Sequence, residues 1–404
     1  MISRTFIDRW VADFGNSTNQ QMINGYYFEM PSSIYEISKE DAEGLFAQSV
    51  DKEALIDQLV VRVPIDGQDR FFKVGNKAKA DVLGNRHIEK LHDKTESQTV
   101  WVTWLTGMAF YHAYMFPSKK EDTIEVQYFG TLIPVWLAKR AKKFTEILSK
   151  MADRFISEEG FEVELLTPDF ERTLTIVVNE AKARVEGETA RYALKYDLEL
   201  NKNEEQVKKY EAAIVVIDDL GGQTQDLSKL RPGLKKPASA DDYASFTDKS
   251  FLKMLEDLRI TKLMTHFNDL RSLEEFVRHN IKSKQFIYKD PTTKQEVDFT
   301  TEIEVMLKEY VKISSEKCLT AFQYALGEEV FFLHIGGVAE EVQDYMMEYL
   351  IERLGEDIAK KYHMFPEHSR KFNIHGLEIV AKSHLKKKAE NAKEQTDEQT
   401  ERAV

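Results

Sequence analysis

Residues 214–226 read IVVIDDLGGQTQD and join a short apolar run to two aspartates and two adjacent glycines. The run from Ile214 to Ile217 predicts a central β-strand, because it is apolar on both faces. A carboxylate at the end of such a strand costs stability unless it is solvated, paired or bound to a cation. The stretch therefore predicts either a tight turn with an exposed acid or a loop that holds a cation and a phosphate.

Two other glycine loops also follow strand-like runs. Residues 13–18 read DFGNST, and residues 336–339 read GGVA. Glycines let backbone N–H groups approach a phosphate closely, and Asp13 and Asp219 could both hold Mg²⁺ through water. Each loop has an ordinary alternative, a β-hairpin turn for the first and a strand-to-helix turn for the last. The ordered set of three predicts two similar halves that clamp one nucleotide.

The candidate site residues come from these loops and from one glutamate. Glu186 could orient an attacking water, as phosphoryl hydrolysis requires, with Glu188 as a fallback. The chain has 69 acidic residues, so an ordinary surface glutamate is the alternative. Asp13 and Asp219 are predicted as metal-binding and catalytic residues. The predicted nucleotide-binding residues are Gly15, Asn16, Ser17, Thr18, Gly221, Gly222, Gln223, Thr224, Gly336, Gly337, Val338 and Ala339.

Composition bounds the class of protein. A chain of 404 residues with 42% hydrophobic residues can form a large core and is expected to fold as two domains. Its formal net charge is −13, which argues against direct DNA binding, because duplex affinity depends on Lys and Arg at phosphates. The one cysteine, Cys318, excludes an intramolecular disulfide. Together with an N-terminus that lacks an apolar signal core, this favours a cytoplasmic location.

Periodicity predicts several elements outside the loops. Residues 99–116 carry no charge, but their polar side chains favour a buried helix over a membrane span. Residues 251–281 and 301–326 have the spacing of long helices, and residues 286–299 that of a hairpin. A helix is expected from about Glu340 to Leu354. Residues 385–404 are charged and polar, which predicts a disordered tail.

The order of the motifs resembles that of the actin-like ATPases, which include actin, the Hsp70 ATPase domain and the sugar kinases. Within that superfamily the chain is most similar to the ParM-type plasmid-segregation family, and to its divergent Alp-type branch. The motifs that carry the resemblance are Asp13-Phe14-Gly15-Asn16-Ser17, Val74-Gly75 with Ala78, Gly130 with Leu132 and Pro134, Val185-Glu186-Gly187, Asp219-Leu220-Gly221-Gly222, Ile335-Gly336-Gly337 with Ala339-Glu340, and Phe372-Asn373 with Gly376.

The resemblance implies an α/β, ribonuclease H-like fold of the actin/Hsp70 type, with a nucleotide cleft between two domains. Domain I would comprise residues 1–217, with residues 365–384 packing back on it. Domain II would comprise residues 218–364, and residues 385–404 would form the tail. ATP, or GTP, would bind with Mg²⁺, and Glu186 would position the attacking water. One departure is Gln20, which stands where the family often has a lysine.

By the same resemblance the chain would be a polymerising ATPase whose dynamic filaments segregate plasmid DNA. Its partners would be further copies of itself and a DNA-binding adaptor protein bound to plasmid centromeric DNA, with no membrane involved. One alternative is a small-molecule kinase of the superfamily, although no motif marks its catalytic-base aspartate. Another is a non-plasmid cytoskeletal scaffold. A membrane-linked scaffold would need an amphipathic terminal helix, and the lysine-rich tail has almost no apolar face.

Overall fold

The computed structural model describes residues 3–81, 93–141 and 143–402, with side chains through residue 394. It contains two large β-sheets, and in each sheet the first strand in chain order leads into a hairpin turn that contains glycine. The strands in chain order are β1 (Ser3–Phe14), β2 (Thr18–Ile23), β3 (Tyr26–Pro31), β4 (Ile34–Ile37), β5 (Val60–Ile65), β6 (Gln68–Val74), β7 (Glu121–Ile133), β8 (Phe161–Leu165), β9 (Arg172–Val178), β10 (Ala181–Val185), β11 (Ile214–Leu220), β12 (Gln225–Leu230), β13 (Tyr243–Phe246), β14 (Ile287–Lys289), β15 (Glu296–Asp298), β16 (Val330–Ile335) and β17 (His363–Met364).

Helices cover the sheets and connect their strands. In chain order they are α1 (Lys39–Gly44), α2 (Asn76–Lys79), α3 (Gln98–Met115), α4 (Val135–Arg140), α5 (Phe144–Asp153), α6 (Ala190–Lys195), α7 (Glu204–Lys209), α8 (Phe251–Leu258), α9 (Leu270–Asn280), α10 (Thr300–Thr320), α11 (Gly337–Leu354), α12 (Glu356–Tyr362) and α13 (Phe372–Arg402).

The first sheet has ten strands in the order β3-β2-β1-β7-β9-β8-β5-β6-β4, with β10 also pairing with β7. Strand β1 forms an antiparallel hairpin with β2 and lies parallel to β7 on its other side. On the edge away from β1, the first half of β7 pairs with β9 and the second half pairs with β10. The end of β10 thereby lies beside the end of β7, which places Glu186 next to the first glycine loop.

The second sheet repeats this arrangement with five strands in the order β13-β12-β11-β16-β17. Strand β11 forms an antiparallel hairpin with β12 and lies parallel to β16. All seven residues of β11 are buried, as the apolar run from Ile214 predicted for a central strand. Strands β14 and β15 form a separate hairpin, which confirms the prediction for residues 286–299. The two halves of the chain therefore share one strand–hairpin–parallel-strand plan.

Helix α3 is the uncharged segment of the sequence, and it lies inside the core of the first half. The indole rings of Trp10 on β1 and Trp104 on α3 stack with centroids 5.0 Å apart, and Phe129 and Phe155 both pack edge-on against Trp104. The prediction of a buried helix is confirmed. None of the helices in the described part of the chain combines the length and apolar character needed to cross a bilayer.

Helix α13 brings the end of the chain back onto the first sheet. Ile374 and Leu377 pack against Val11 of β1 and Leu132 of β7. A Cβ at Gly376 would lie 2.1 Å from the carbonyl oxygen of Thr189, so only glycine permits this close approach to α6.

Three sequence expectations differ from the structure. The helix α13 continues to Arg402, so the prediction of disorder for residues 385–404 is wrong through that residue. Alanine, glutamate, lysine and glutamine favour helix, and no glycine or proline interrupts them. Residues 251–281 form two helices, because Asp269 caps a new helix by accepting a hydrogen bond from the Ser272 N–H. Helix α11 begins at Gly337, three residues before the expected start.

Candidate nucleotide site

The two glycine hairpins face each other at contact distance. The first turn joins β1 to β2, and the second joins β11 to β12, closed by a 2.9 Å hydrogen bond from the Gly221 N–H to the Thr224 carbonyl. A Cβ at Gly222 would lie 3.4 Å from the Ser17 hydroxyl oxygen of the opposite hairpin. The Ser17 hydroxyl also lies 3.3 Å from Glu274 of α9. Both turns therefore border one narrow space.

This space is a cleft that encloses about 740 Å³, solvent at its mouth included. Most of the residues predicted from sequence line it, whereas Gln223 and Ala339 lie outside the lining. Both are buried, and Ala339 is inside α11, packed in the core of the second half. The predicted residues that line the cleft are Asp13, Gly15, Asn16, Ser17, Thr18, Glu186, Asp219, Gly221, Gly222, Thr224, Gly336, Gly337 and Val338.

Four carboxylates gather at the inner end of the cleft: Asp13, Glu186, Asp219 and Asp226. Burial and, to a smaller extent, the nearby Glu186 raise the pKa of Asp13 to about 7, while Lys94 opposes the shift. Burial likewise raises the pKa of Asp226 to about 7 and that of Asp219 well above its usual value, with Glu186 again contributing. The exposed-acid alternative for the second loop is therefore wrong, because Asp218 and Asp219 are both buried.

The Asp219 side chain is fixed by contacts from distant parts of the chain. Asn373 at the start of α13 donates a 2.5 Å hydrogen bond to Asp219 Oδ2 and accepts one from the Gly187 N–H at 3.1 Å. Gly336 has φ +95°, and a Cβ there would lie 2.6 Å from Asp219 Oδ1. Glycine at this position thus gives the third loop its backbone conformation and leaves room for the carboxylate. Asn373 links the strand ends that carry Asp219 and Glu186.

The two candidate glutamates have different surroundings. The Glu186 carboxylate lines the cleft and accepts a 2.5 Å hydrogen bond from Lys94 Nζ. The Glu188 carboxylate accepts a 3.1 Å bond from the Tyr243 hydroxyl and pairs with Arg191 at 3.5 Å, outside the cleft lining. Their side chains are similarly buried, 12% and 14% exposed. Glu186 is therefore the glutamate placed to face a bound phosphate.

Several residues of the site were not predicted from the sequence. Gln20, which lines the cleft, and Asp226, which is buried outside the lining, had a local signal, since both lie next to the glycine turns. Lys94, Arg278 and Arg370 had none, because they reach the cleft from loops and helices far away in sequence. Arg370 donates to the Thr18 hydroxyl at 3.0 Å, and its carbonyl accepts from Gln20 Nε2 at 3.2 Å. The cleft is thus acidic at its inner end and basic along one wall.

The residues present fit a bound divalent cation with phosphates. Carboxylate oxygens are the ligands Mg²⁺ prefers, often through retained water. Buried carboxylates are costly unless compensated, and Asp226 Oδ1 has no hydrogen-bond partner among the described residues. Asp13 and Asp219 lie on opposite hairpins, so a hydrated cation between them would compensate the negative charge of both carboxylates. The glycine N–H groups beside them are the donors that phosphate oxygens accept from.

Two opposed hairpins on duplicated sheets define the actin-like class of proteins, and comparison with solved structures supports this. A Bacillus thuringiensis ParM with ATP superposes with a TM-score of 0.61 at 16% identity, covering 94% of this chain and 99% of that one. A 15-stranded ParM filament from Clostridium botulinum gives 0.63 at 12% identity, covering 95% and 100%. At these identities the likeness shows the fold alone, and it confirms the predicted actin-like α/β fold.

A higher similarity identifies the family. The crystal structure of the actin-like protein Alp7A matches with a TM-score of 0.86 at 37% identity, covering 96% of this chain and 100% of that chain. The family described as the Alp7A C-terminal domain matches residues 214–369. The chain belongs to the Alp7A family of ParM/Alp-type actin-like proteins, as the motif order predicted. No curated protein showed significant sequence similarity to it.

Proposed function

We propose that this protein is a nucleotide-dependent ATPase that polymerises into dynamic filaments and segregates plasmid DNA. One observation carries the proposal: Asp13 and Asp219 stand on opposed glycine hairpins that line a single cleft. Relatives support it, since the similar structures include a ParM solved with ATP and a ParM filament. ATP is the expected nucleotide, and GTP would satisfy the same phosphate contacts.

The proposed domain division follows the two sheets. Domain I comprises residues 1–217 together with residues 365–384, which include the part of α13 that packs on β1 and β7. Domain II comprises residues 218–364 and contains the second sheet. Each domain contributes one glycine hairpin, so a triphosphate bound between them contacts both. Nucleotide binding then favours the closed arrangement of the domains.

In hydrolysis, the side chains of the cleft position a water and the terminal phosphate. Mg²⁺, held through water by Asp13 and Asp219, would neutralise phosphate charge. Glu186 accepts a hydrogen bond from the attacking water and orients its oxygen toward the terminal phosphorus. The bond between that phosphorus and the bridging oxygen breaks as the new bond forms. The backbone N–H groups of both hairpins stay on the phosphates left behind.

Filament assembly follows from the closed arrangement. Closure fixes the relative orientation of the domains and so completes a head-to-tail surface between copies. A repeated heterologous contact of this kind gives an open filament rather than a closed ring. Loss of the terminal phosphate removes a bridge between the hairpins and weakens the contacts along the filament.

The cargo is proposed to be plasmid DNA held through a separate DNA-binding adaptor in the cytoplasm. A net charge of −13 opposes direct contact with the DNA backbone. Tight, salt-sensitive binding of plasmid DNA by the purified chain alone would contradict the need for an adaptor. Cys318, a buried free thiol, suits a reducing compartment.

The test uses the matched glutamates Glu186 and Glu188. Light scattering and electron microscopy after addition of Mg·ATP should show filaments of the wild-type protein that disassemble as phosphate is released. Glu186→Gln should lower hydrolysis about 100-fold, the scale expected for losing a general base, and its filaments should persist. Glu188→Gln should hydrolyse ATP within about 3-fold of wild type, because its carboxylate faces Tyr243 and Arg191.

Two results would reject different parts of the proposal. If the wild-type protein binds nucleotide but forms no polymer at any protein concentration, the proposal that it forms filaments is rejected. Equal hydrolysis by Glu186→Gln and wild type would reject the role of Glu186 and leave the filament standing.

A further inference from the structure

Lys94 lies among the carboxylates at the inner end of the cleft, and its side chain is only 4% exposed. Its Nζ donates a 2.5 Å hydrogen bond to Glu186, and it is close enough to Asp13 and Asp226 to interact with their charges. An ammonium group has three donors, and Glu186 is the acceptor that the described residues supply. The remaining donors can serve a ligand in the cleft that Lys94 lines.

The other cations that line the cleft are engaged elsewhere. Arg278 pairs with Glu274 at 2.9 Å and with Glu341, and Arg370 pairs with Glu29 at 3.4 Å. Gln20, beside the first hairpin, is neutral and binds the Arg370 carbonyl. The positive charge at the acidic end of the cleft therefore comes from Lys94, at the same end as Glu186.

The backbone around Lys94 is held by a partly buried arginine. Arg154, at the end of α5, donates to the Lys94 carbonyl at 2.8 Å and to the Ser97 carbonyl at 2.7 Å. Its guanidinium also lies over the Trp101 ring, 5.5 Å from the centroid. On the other side of Lys94, the Asp93 carboxylate accepts from the Thr95 N–H at 2.8 Å. These contacts fix a short turn before α3 and aim one side chain into the cleft.

We propose that Lys94 binds the terminal phosphate of the nucleoside triphosphate, and that Arg154 is the positioning residue that holds the Lys94 turn. Without nucleotide, Lys94 pairs with Glu186. With a triphosphate bound, the ammonium group contacts the terminal phosphate oxygens while keeping Glu186 oriented beside them. Lys94 thereby makes the cleft discriminate a triphosphate from a diphosphate. This inference rests on the proposed function, since it requires the cleft to hold a nucleotide.

The test compares two ligands on the same variants. Dissociation constants for Mg·ADP and for the non-hydrolysable analogue Mg·AMPPNP are measured by calorimetry on the full chain. Lys94→Met should weaken AMPPNP binding about 10- to 100-fold and ADP binding less than about 3-fold, since one charge-assisted contact to the terminal phosphate is lost. Lys94→Arg keeps the charge and should recover most of the discrimination. Lys229→Met is the control, because it removes another lysine–carboxylate pair, with Asp242 at 2.9 Å, that does not line the cleft.

Arg154→Met should reproduce the selective loss for AMPPNP, whereas Arg154→Lys should restore part of it. A merely structural role would lower stability and leave the ratio of the two dissociation constants unchanged. The double variant Lys94→Met/Glu186→Gln removes both charges of the pair, so it tests the same ratio of dissociation constants without leaving the Glu186 carboxylate unpaired.

The outcomes separate this inference from the proposed function. Wild-type protein that binds neither ligand would reject the proposed function, and the role of Lys94 with it. Wild-type protein that binds both, with the ratio unchanged in Lys94→Met and in the double variant, would reject the role of Lys94 alone. An equal loss for both ligands would also overturn it, because the contact would then not be with the terminal phosphate.

Discussion

Asp218 and Asp219 are neighbours on β11, but they lie on opposite faces of the second sheet. Asp218 points into the protein, where it is fully buried and accepts hydrogen bonds from Gln225 at 2.8 Å and His334 at 2.7 Å. His334 in turn contacts His363 at 3.0 Å. Asp219 points into the cleft, where Asn373 is its hydrogen-bond donor and other carboxylates are its neighbours.

The difference between the two faces separates a structural acid from a functional one. On the interior face, both partners of Asp218 have a second hydrogen-bond partner of their own, the Ser314 carbonyl for Gln225 and the His363 ring for His334. On the cleft face, acids raise one another's pKa and leave charge to be compensated by something that binds. Because side chains alternate along a strand, the sequence predicts that Asp218 and Asp219 face opposite ways. It does not tell which of the two faces the cleft. Substitutions at the two positions should therefore affect different properties.

The largest expected effect is on hydrolysis by Asp219→Asn. The substitution keeps the size of the side chain and an oxygen that can accept from Asn373, but it removes the charge that would hold the hydrated cation. Hydrolysis of Mg·ATP should fall about 100-fold or more, the scale seen when a preorganised electrostatic contact is lost. The urea midpoint of unfolding without nucleotide should stay the same or rise, because the variant removes a buried carboxylate that the neighbouring carboxylates repel.

Phosphate release and urea unfolding measure both halves of this prediction. Asp241→Asn, a change to an exposed acid of the same half, is the control and should leave hydrolysis unchanged. Hydrolysis within about 3-fold of wild type in Asp219→Asn would contradict the assignment of the cleft face.

Asp218→Ala should show the opposite pattern. It leaves the Gln225 amide and the His334 ring without their shared buried acceptor, which should lower the free energy of unfolding by about 3 kcal/mol. Hydrolysis per folded molecule should change less than about 5-fold, because Asp218 does not face the cleft. Urea unfolding at fixed pH measures the first quantity, and turnover at a temperature where the variant is folded measures the second. If Asp218→Ala were as stable as wild type but did not hydrolyse ATP, Asp218 would be needed for hydrolysis, and the separation of a structural from a functional acid would be wrong.

The sequence predicted the cleft face better than the interior face. The hairpin residues from Gly15 to Thr18 and from Gly221 to Thr224 carry local signals, because turns and phosphate contacts both require particular residues at fixed spacings. Their pairing across the cleft followed from motif order. The His334–Asp218 contact lacked such a signal, since it depends on β16 lying beside β11 in a register that sets the two residues opposite each other.

The remaining site residues were beyond local sequence reasoning for the same cause. Lys94 is 92 residues from Glu186, and a lysine before a helix is a common feature that only tertiary packing turns toward the cleft. Asn373, 154 residues from Asp219, belonged to a motif of the family resemblance, but its contact with Asp219 had no local signal. The tail shows the reverse error, because a charged and polar composition was given more weight than the helix propensity of the same residues.

The smallest expected effect is the pH dependence of nucleotide stabilisation, which sharpens the comparison. The pKa of Asp13 and Asp226 is raised to about 7, so without a ligand their contribution to stability is present below their usual value of 3.8 and is lost as pH rises through 7. A bound cation needs them ionised, so binding releases protons below pH 7. The stabilisation by Mg·ADP should therefore grow from pH 6 to 7, by at most about 1.4 kcal/mol per pH unit for each proton released, and then level off.

The interior face should not contribute to this difference. Burial lowers the pKa of His363 to about 3, so its ring stays neutral from pH 6 to 8 with or without nucleotide. Its unfolded form titrates near 6.5, but that change is common to both measurements and cancels when they are subtracted. Urea unfolding at pH 6, 7 and 8, with and without Mg·ADP, gives the difference directly. A difference that is flat or falls over this range would mean that the cleft acids are already ionised without a cation, and the contrast between Asp218 and Asp219 would then rest on geometry alone.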